Sequence, residues 1–233
     1  MKLRHGKFLI AAAFPVIAAA LPSVTFATCT GGIPDGPATW DSSVSVPRTA
    51  SIGAGTDIGP NVKIGGYVRI GTCGQIGLDG AGGGISSRAR LGDGVTMSGG
   101  SVIGGGANIG NSSTIAGSRV NSHADIGNGG TVSGASVVGS YSKIGDGATI
   151  TGSRLSSYVR MGSGATLTGA YLGYSSDYGD GVTLDSTSRV NRDARVDTNV
   201  HIYDSAYVGA STHVCADVSS GMYISSNTSY GCP

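Results

Sequence analysis

The chain has 233 residues, of which 42 are Gly, and only 12% are charged and 6% aromatic, with a formal net charge of +1. Strong helix formers are scarce and glutamate is absent, which excludes a helical bundle or a coiled coil. The near-neutral charge also argues against a nucleic-acid-binding protein, because such proteins carry a basic patch or stripe.

The N-terminal segment 1–27 has the pattern of a secretory signal peptide. Lys2, Arg4 and Lys7 precede an apolar run over 8–21, and a small-x-small cleavage site follows at 25–27. We therefore expect export to the periplasm or the medium, with the cell surface as a further location. No second apolar run of membrane-spanning length follows, so the mature chain is expected to have no transmembrane segment.

From residue 40 to about residue 219, an aliphatic residue recurs every five or six positions, as at Ile52, Ile58 and Ile64. Each unit fits one short strand and one turn, with the aliphatic side chain pointing inward and its neighbours pointing outward. Three units would close a triangular coil, and the run is long enough for about ten coils of 17–18 residues.

This repeat resembles the hexapeptide-repeat family, and the resemblance implies an all-β, left-handed parallel β-helix without substantial helix over 40–219. Residues 28–39 and 220–233 lack the repeat and are predicted to cap the two ends, since a solenoid exposes strand edges there. The segment 77–84 adds about three residues and is predicted to bulge at one corner.

Four cysteines fall near the two ends of the predicted solenoid. In an exported protein an even number of cysteines favours disulfides. We predict the pairs Cys29–Cys73 and Cys215–Cys232, one at each end. Links between chains that build a filament are the alternative.

Histidine is the natural candidate for chemistry. The family resemblance implies either acyltransferases with a catalytic His and an acyl-carrier pocket between subunits, or γ-class carbonic anhydrases with three His around one metal. Beyond the signal peptide the chain keeps His123, His201 and His213, and their spacing places them too far apart, or on different walls, for one metal. We expect no catalytic residue, no metal site and no cofactor. A deep pocket at a subunit boundary containing His123 or His201 would favour an enzyme instead.

One wall of the predicted solenoid carries a charge-free array of hydroxyl and methyl groups. Thr precedes the inward residue on six successive coils, and a small or hydroxyl-bearing residue usually follows it. This array is similar to the Thr-x-Thr surface of insect β-helical antifreeze proteins, whereas Thr ladders that only stabilise the sheet are the alternative. The predicted binding residues are Thr96, Ser98, Thr114, Thr131, Ser133, Thr149, Thr151, Thr166, Thr168 and Thr183.

From these observations we expect an exported, non-enzymatic solenoid that serves as a rigid structural or surface-adhesion module, with filament formation as one version. Ice binding through the Thr array is the first alternative, and a periplasmic hexapeptide-repeat enzyme is the second. The expected partners are further copies of the chain or a flat ordered surface such as a polysaccharide or ice, and not nucleic acid.

Overall fold

The computed structural model describes residues 29–30, 33–34 and 36–233. These residues form a stack of short parallel strands without an α-helix, which confirms the predicted left-handed parallel β-helix. Within these ranges, no helix has the length and apolar character needed to cross a membrane. The predicted signal peptide, residues 1–27, lies outside the described residues.

The chain winds through three parallel sheets, which we call the first, second and third walls. The first wall contains Ser51–Ile52, Arg69–Ile70, Arg90–Leu91, Asn108–Ile109, Asp125–Ile126, Lys143–Ile144, Arg160–Met161, Asp177–Tyr178, Arg195–Val196, His213–Val214 and Ser229–Tyr230. The second wall contains Thr39–Trp40, Asp57–Ile58, Gln75–Ile76, Thr96–Ser98, Thr114–Ala116, Thr131–Ser133, Thr149–Thr151, Thr166–Thr168, Thr183–Leu184 and His201–Ile202. The third wall contains Val62–Ile64, Gly83–Ile85, Val102–Ile103, Arg119–Val120, Val137–Val138, Arg154–Leu155, Tyr171–Leu172, Arg189–Val190, Tyr207–Val208 and Tyr223–Ile224. An antiparallel pair, Cys29–Thr30 with Ile33–Pro34, precedes the stack.

Equivalent residues of successive coils form rows along the solenoid, about 4.8 Å apart. Leu91 pairs with Ile109 and Ile109 pairs with Ile126, so coils that differ in length by one residue share one register. At the predicted insertion, Val62 pairs with Gly83, which makes this coil longer than its neighbours. Its extra residues bulge at the corner between the second and third walls, as predicted.

The inward rows build one apolar core along the length of the stack. Ile144, Ile150 and Leu155, which belong to three different walls, are 4%, 0% and 1% exposed. Trp40, also predicted to point inward, is instead 49% exposed. Its strand is the outermost one of the second wall, and among the residues that the structure describes no further coil covers its ring.

The stack continues beyond residue 219 into the segment that we predicted as the C-terminal cap. Tyr223–Ile224 pairs with the third wall and Ser229–Tyr230 with the first wall. A disulfide joins Cys215 to Cys232, with Cα atoms 5.0 Å apart, as predicted. Cys73 is also disulfide-bonded, whereas the side chain of Cys29 lies outside the described residues.

Candidate functional site

A groove of about 490 Å³ runs along the corner at which the chain passes from the third wall to the first. We call it the corner groove. It crosses five coils, because its residues occupy equivalent positions of successive turns. Its lining residues are Gly106, Asn108, His123, Asp125, Tyr141, Lys143, Tyr158, Arg160, Ser175 and Asp177.

A row of aromatic rings forms one side of the corner groove: His123, Tyr141 and Tyr158 are stacked, and the ring of Tyr174 continues the row with a tilt of 58°. Ring centroids are 5.0 Å apart for His123 and Tyr141, 5.2 Å for Tyr141 and Tyr158, and 5.2 Å for Tyr158 and Tyr174. The first three residues hold equivalent corner positions with φ of 58°, 60° and 62°. This left-handed backbone costs about 1–2 kcal/mol per non-glycine residue, and stacking of about 0.5–1.5 kcal/mol per pair offsets part of it.

Gly106 provides the space that the His123 ring needs. A Cβ atom built on Gly106 would lie 2.7 Å from Nδ1 of His123 and 2.8 Å from its Cε1. The φ of Gly106 is also positive, at 69°, which glycine adopts at little cost. The backbone N–H of His123 donates to the carbonyl of Gly105 at 3.1 Å. The absence of a side chain at Gly106 therefore leaves room for the imidazole of His123 in this position.

Polar and charged side chains of the first wall form the opposite side of the groove. Asn108 Nδ2 donates to Asp125 Oδ1 at 2.6 Å, and Arg160 Nη1 lies 3.7 Å from Asp177 Oδ1. Asp125 and Lys143 are register neighbours on adjacent coils but form no ion pair, and within the described chain the Lys143 ammonium has no ion-pair partner. An amide, two carboxylates and two cations thus face the ring stack.

A second hollow of about 420 Å³ continues the corner groove towards the N-terminal coils. Tyr67 and Arg88 line its far end, and Gly106 and His123 line both hollows. His123 therefore lies at the junction of the two hollows, where it can meet a ligand that occupies either one.

The other two histidines lie on different walls and pair with carboxylates. His201 Nε2 is 2.7 Å from Asp185 Oδ2 on the second wall, and His213 Nε2 is 2.9 Å from Asp197 Oδ1 on the first. The hydrogen bond to His213 is the main cause that lowers the pKa of Asp197. Neither histidine lines the corner groove or the hollow that continues it.

The structure arranges the ten predicted hydroxyl-bearing residues in two rows on the second wall. Thr149 pairs with Thr131 and Thr166, and Thr151 pairs with Ser133 and Thr168. The rows stay aligned in the coils of 17 residues, because these coils are one residue shorter only at the corner between the second and third walls, after the Thr strand. The ten residues present a flat face rather than a hollow, and their role in binding stays a prediction. They are Thr96, Ser98, Thr114, Thr131, Ser133, Thr149, Thr151, Thr166, Thr168 and Thr183.

The corner groove is the feature that the sequence analysis missed. From the sequence we considered only the inward residue of each unit and its two neighbours, and we made no prediction for the corner positions. A signal was present, because one coil length separates His123 from Tyr141 and Tyr141 from Tyr158. This spacing places the three rings in one row along the corner.

Comparisons with known proteins give structural likeness alone. No family model matches the chain, and no curated protein matches it significantly. A UDP-N-acetylglucosamine O-acyltransferase from Moraxella catarrhalis is similar with a TM-score of 0.39 and 14% identity, over 73% of this chain and 68% of that one. The UDP-N-acetylglucosamine acyltransferase from Campylobacter jejuni gives 0.33 and 17%, over 79% and 70%. A Bacillus cereus protein, described as an acetyltransferase by resemblance, gives 0.31 and 23%, over 64% and 73%.

These neighbours are enzymes by name, and they correct the expectation of a non-enzymatic structural, filament-forming or surface-adhesion module, together with its ice-binding alternative. The physical reason lies in how the histidines were judged. We expected no catalytic residue because the three histidines lie too far apart, or on different walls, to share one metal, whereas a single histidine, His123, lines the corner groove. The chain has the left-handed parallel β-helix fold of the hexapeptide-repeat proteins.

Proposed function

We propose that the chain transfers an acyl group from an ester or thioester to a hydroxyl or amino group of a sugar bound in the corner groove, with His123 as the general base. His123 takes the proton of the attacking group as the new bond to the acyl carbon forms, and it returns that proton to the alcohol or thiol that leaves when the donor bond breaks. The observation that carries this proposal is the place of His123 at the junction of two hollows. A general base must come within hydrogen-bonding reach of the proton it removes, and His is the side chain that serves most often. The hexapeptide-repeat resemblance, which implies acyltransferases with a catalytic His, supports the same role.

The remaining groove residues supply what an acyl transfer needs besides a base. Attack on the acyl carbonyl develops negative charge on its oxygen, and cationic or N–H groups nearby stabilise that charge. Lys143 offers an unpaired ammonium and Asn108 an amide along the same groove. Asp125 and the Tyr141 hydroxyl group provide acceptors and donors for sugar hydroxyl groups, which suits a polyhydroxylated acceptor.

Ring stacking gives the base a fixed orientation. The His123 ring is nearly parallel to that of Tyr141, with 11° between the planes, and Gly106 borders its Nδ1 side. Positioning of this kind matters because a misplacement of about 1 Å can lower a rate by about 10²-fold. We also propose that the chain is exported, from the pattern of residues 1–27, and that the acyl donor is consequently an ester or thioester other than acyl-CoA.

The test follows acetyl transfer from p-nitrophenyl acetate to N-acetylglucosamine oligosaccharides, with the acetylated sugar detected by mass spectrometry. We expect His123→Ala to lower sugar-dependent transfer by about 10²–10⁴-fold, the usual contribution of a general base. His213→Ala is the matched control, since it removes an imidazole from the first wall outside the groove. Equal rates for the two variants, or no sugar-dependent transfer by the unmodified protein, would disprove the proposal.

A further inference from the structure

The third wall is a cationic surface separate from the corner groove. Its outward row alternates Arg with Val or Tyr on successive coils, and its second outward row contains only Gly, Asn and Ser between residues 104 and 209. Neither row contains a carboxylate in that range. The outward row reads Val102, Arg119, Val137, Arg154, Tyr171, Arg189 and Tyr207.

The arginines of this wall are evenly spaced. Arg119 and Arg154 lie two coils apart, and so do Arg154 and Arg189. Two rungs of about 4.8 Å therefore place successive positive charges about 10 Å apart along the solenoid. Even spacing along a straight axis suits a linear ligand with regularly placed charges.

These three arginines also lack the carboxylate partners that other arginines of the chain have. Arg192 lies 3.9 Å from Asp193 and Arg195 lies 3.3 Å from Asp197. Over the described part of the chain, no ion pair involves the arginines of the third wall. All three arginines are exposed, so an external anion can reach their guanidinium groups.

A hollow of about 460 Å³ lies between two of these arginines. Arg154, Arg189, Thr187 and Ser205 line it, so two cations and two hydroxyl groups face one space. The Arg189 guanidinium lies 4.9 Å from the centroid of the Tyr171 ring, and this cation–π contact holds its planar fork in place. An orientated guanidinium binds carboxylate, sulfate or phosphate oxygens with two parallel hydrogen bonds.

We propose that the third wall binds an acidic polysaccharide along the solenoid axis, with its carboxylate or sulfate groups on Arg154 and Arg189 and a further contact at Arg119. A single sugar of an extended chain is comparable in length to one rung, so the arginine spacing fits one acidic group on every second sugar. The two acid groups share the chemistry that a guanidinium fork recognises. This surface is independent of the proposed acyl transfer, because none of its three arginines lines the corner groove.

The test measures binding of the full protein to hyaluronan, which carries one carboxylate on every second sugar, to dextran sulfate and to neutral dextran. The double substitution Arg154→Gln and Arg189→Gln is expected to weaken binding to the acidic polymer at least about tenfold, since two charge-assisted contacts are lost. The matched control is Arg192→Gln with Arg195→Gln, which removes the same charge from paired arginines and is expected to change binding less than about twofold.

Hyaluronan binding with this pattern identifies the carboxylate as the recognised group, and binding of dextran sulfate alone with this pattern identifies the sulfate. Equal weakening in both double variants would show a response to net charge only and would overturn the proposal. Binding to neutral dextran of equal strength, or tighter binding to single-stranded DNA than to either acidic polymer, would also overturn it. Acetyl transfer measured on the same variants is expected to stay unchanged, so the two proposals fail separately.

Discussion

The second wall and the corner groove stand on the same coils and the same core, yet they offer opposite surfaces. The second wall presents two straight rows of hydroxyl and methyl groups, with Thr149 level with Thr131 and Thr166. The corner groove presents stacked rings, carboxylates and cations around a hollow of about 490 Å³. A wall is flat where side chains of similar size repeat on every coil. A groove forms where large corner side chains extend beyond the neighbouring outward row of a wall.

The comparison also shows that packing constrains the inward positions of each coil more strongly than its corner positions. Inward positions are apolar in nearly every coil, with Tyr178 as an exception, because each one packs against the coils above and below it. Corner positions need only tolerate a left-handed backbone, so they accept His123, Tyr141, Ser175 or Gly106. Chemistry can therefore change from coil to coil at a corner without disturbing the stack.

The largest expected effect comes from the core beneath each region. Ile150 lies behind the Thr rows and Ile144 behind Lys143, and they are 0% and 4% exposed. Substitution of either by Ala leaves a cavity and is expected to lower the free energy of unfolding by about 2–5 kcal/mol. Urea denaturation gives that value for both variants.

The same two variants sharpen the comparison through activity. Ile144→Ala is expected to lower acetyl transfer as well, because it loosens the strand that carries Lys143 into the groove. Ile150→Ala is expected to keep the rate of the unmodified protein under conditions where both are folded. Equal activity losses would contradict the division between the two regions.

A pair of glycine substitutions isolates the orientation of the base. Gly106 and Gly147 have φ of 69° and 66°, so Ala carries the same backbone strain of about 1–2 kcal/mol at each. Only at Gly106 does the added Cβ meet another group, Nδ1 of His123 at 2.7 Å, whereas at Gly147 it meets nothing within 4 Å. We expect Gly106→Ala to slow acetyl transfer about tenfold to hundredfold and Gly147→Ala to leave it unchanged. Matching rates would show that His123 does not act from this position.

The smallest effect is expected on the second wall. Thr149→Ala removes one member of a ladder and should lower the free energy of unfolding by about 0.2–1 kcal/mol, measured by urea denaturation. Acetyl transfer should keep its rate, because Thr149 lies outside the groove. A loss of transfer as large as that of Gly106→Ala would move the site from the corner to the second wall.

The sequence predicts the interior of this molecule better than its corners or its ends. The six-residue rhythm identifies Ile144, Ile150 and Leu155 as buried because every coil repeats the same packing demand. The rhythm cannot show that Trp40 is exposed, since that depends on its strand being the outermost described strand of the second wall. The proximity of His123 and Tyr141 depends on the alignment of successive corners, which the register of the whole stack determines.

The register that coils of unequal length share also has an evolutionary consequence. Duplication of one coil, for example residues 131–148, would insert a complete layer and leave both termini and all other layers intact. Because Tyr141 belongs to that layer, the chain with the duplicated coil would have one more ring in the aromatic row and a longer corner groove. Tandem gene duplication could therefore lengthen the corner groove in steps of one coil without altering the rest of the fold.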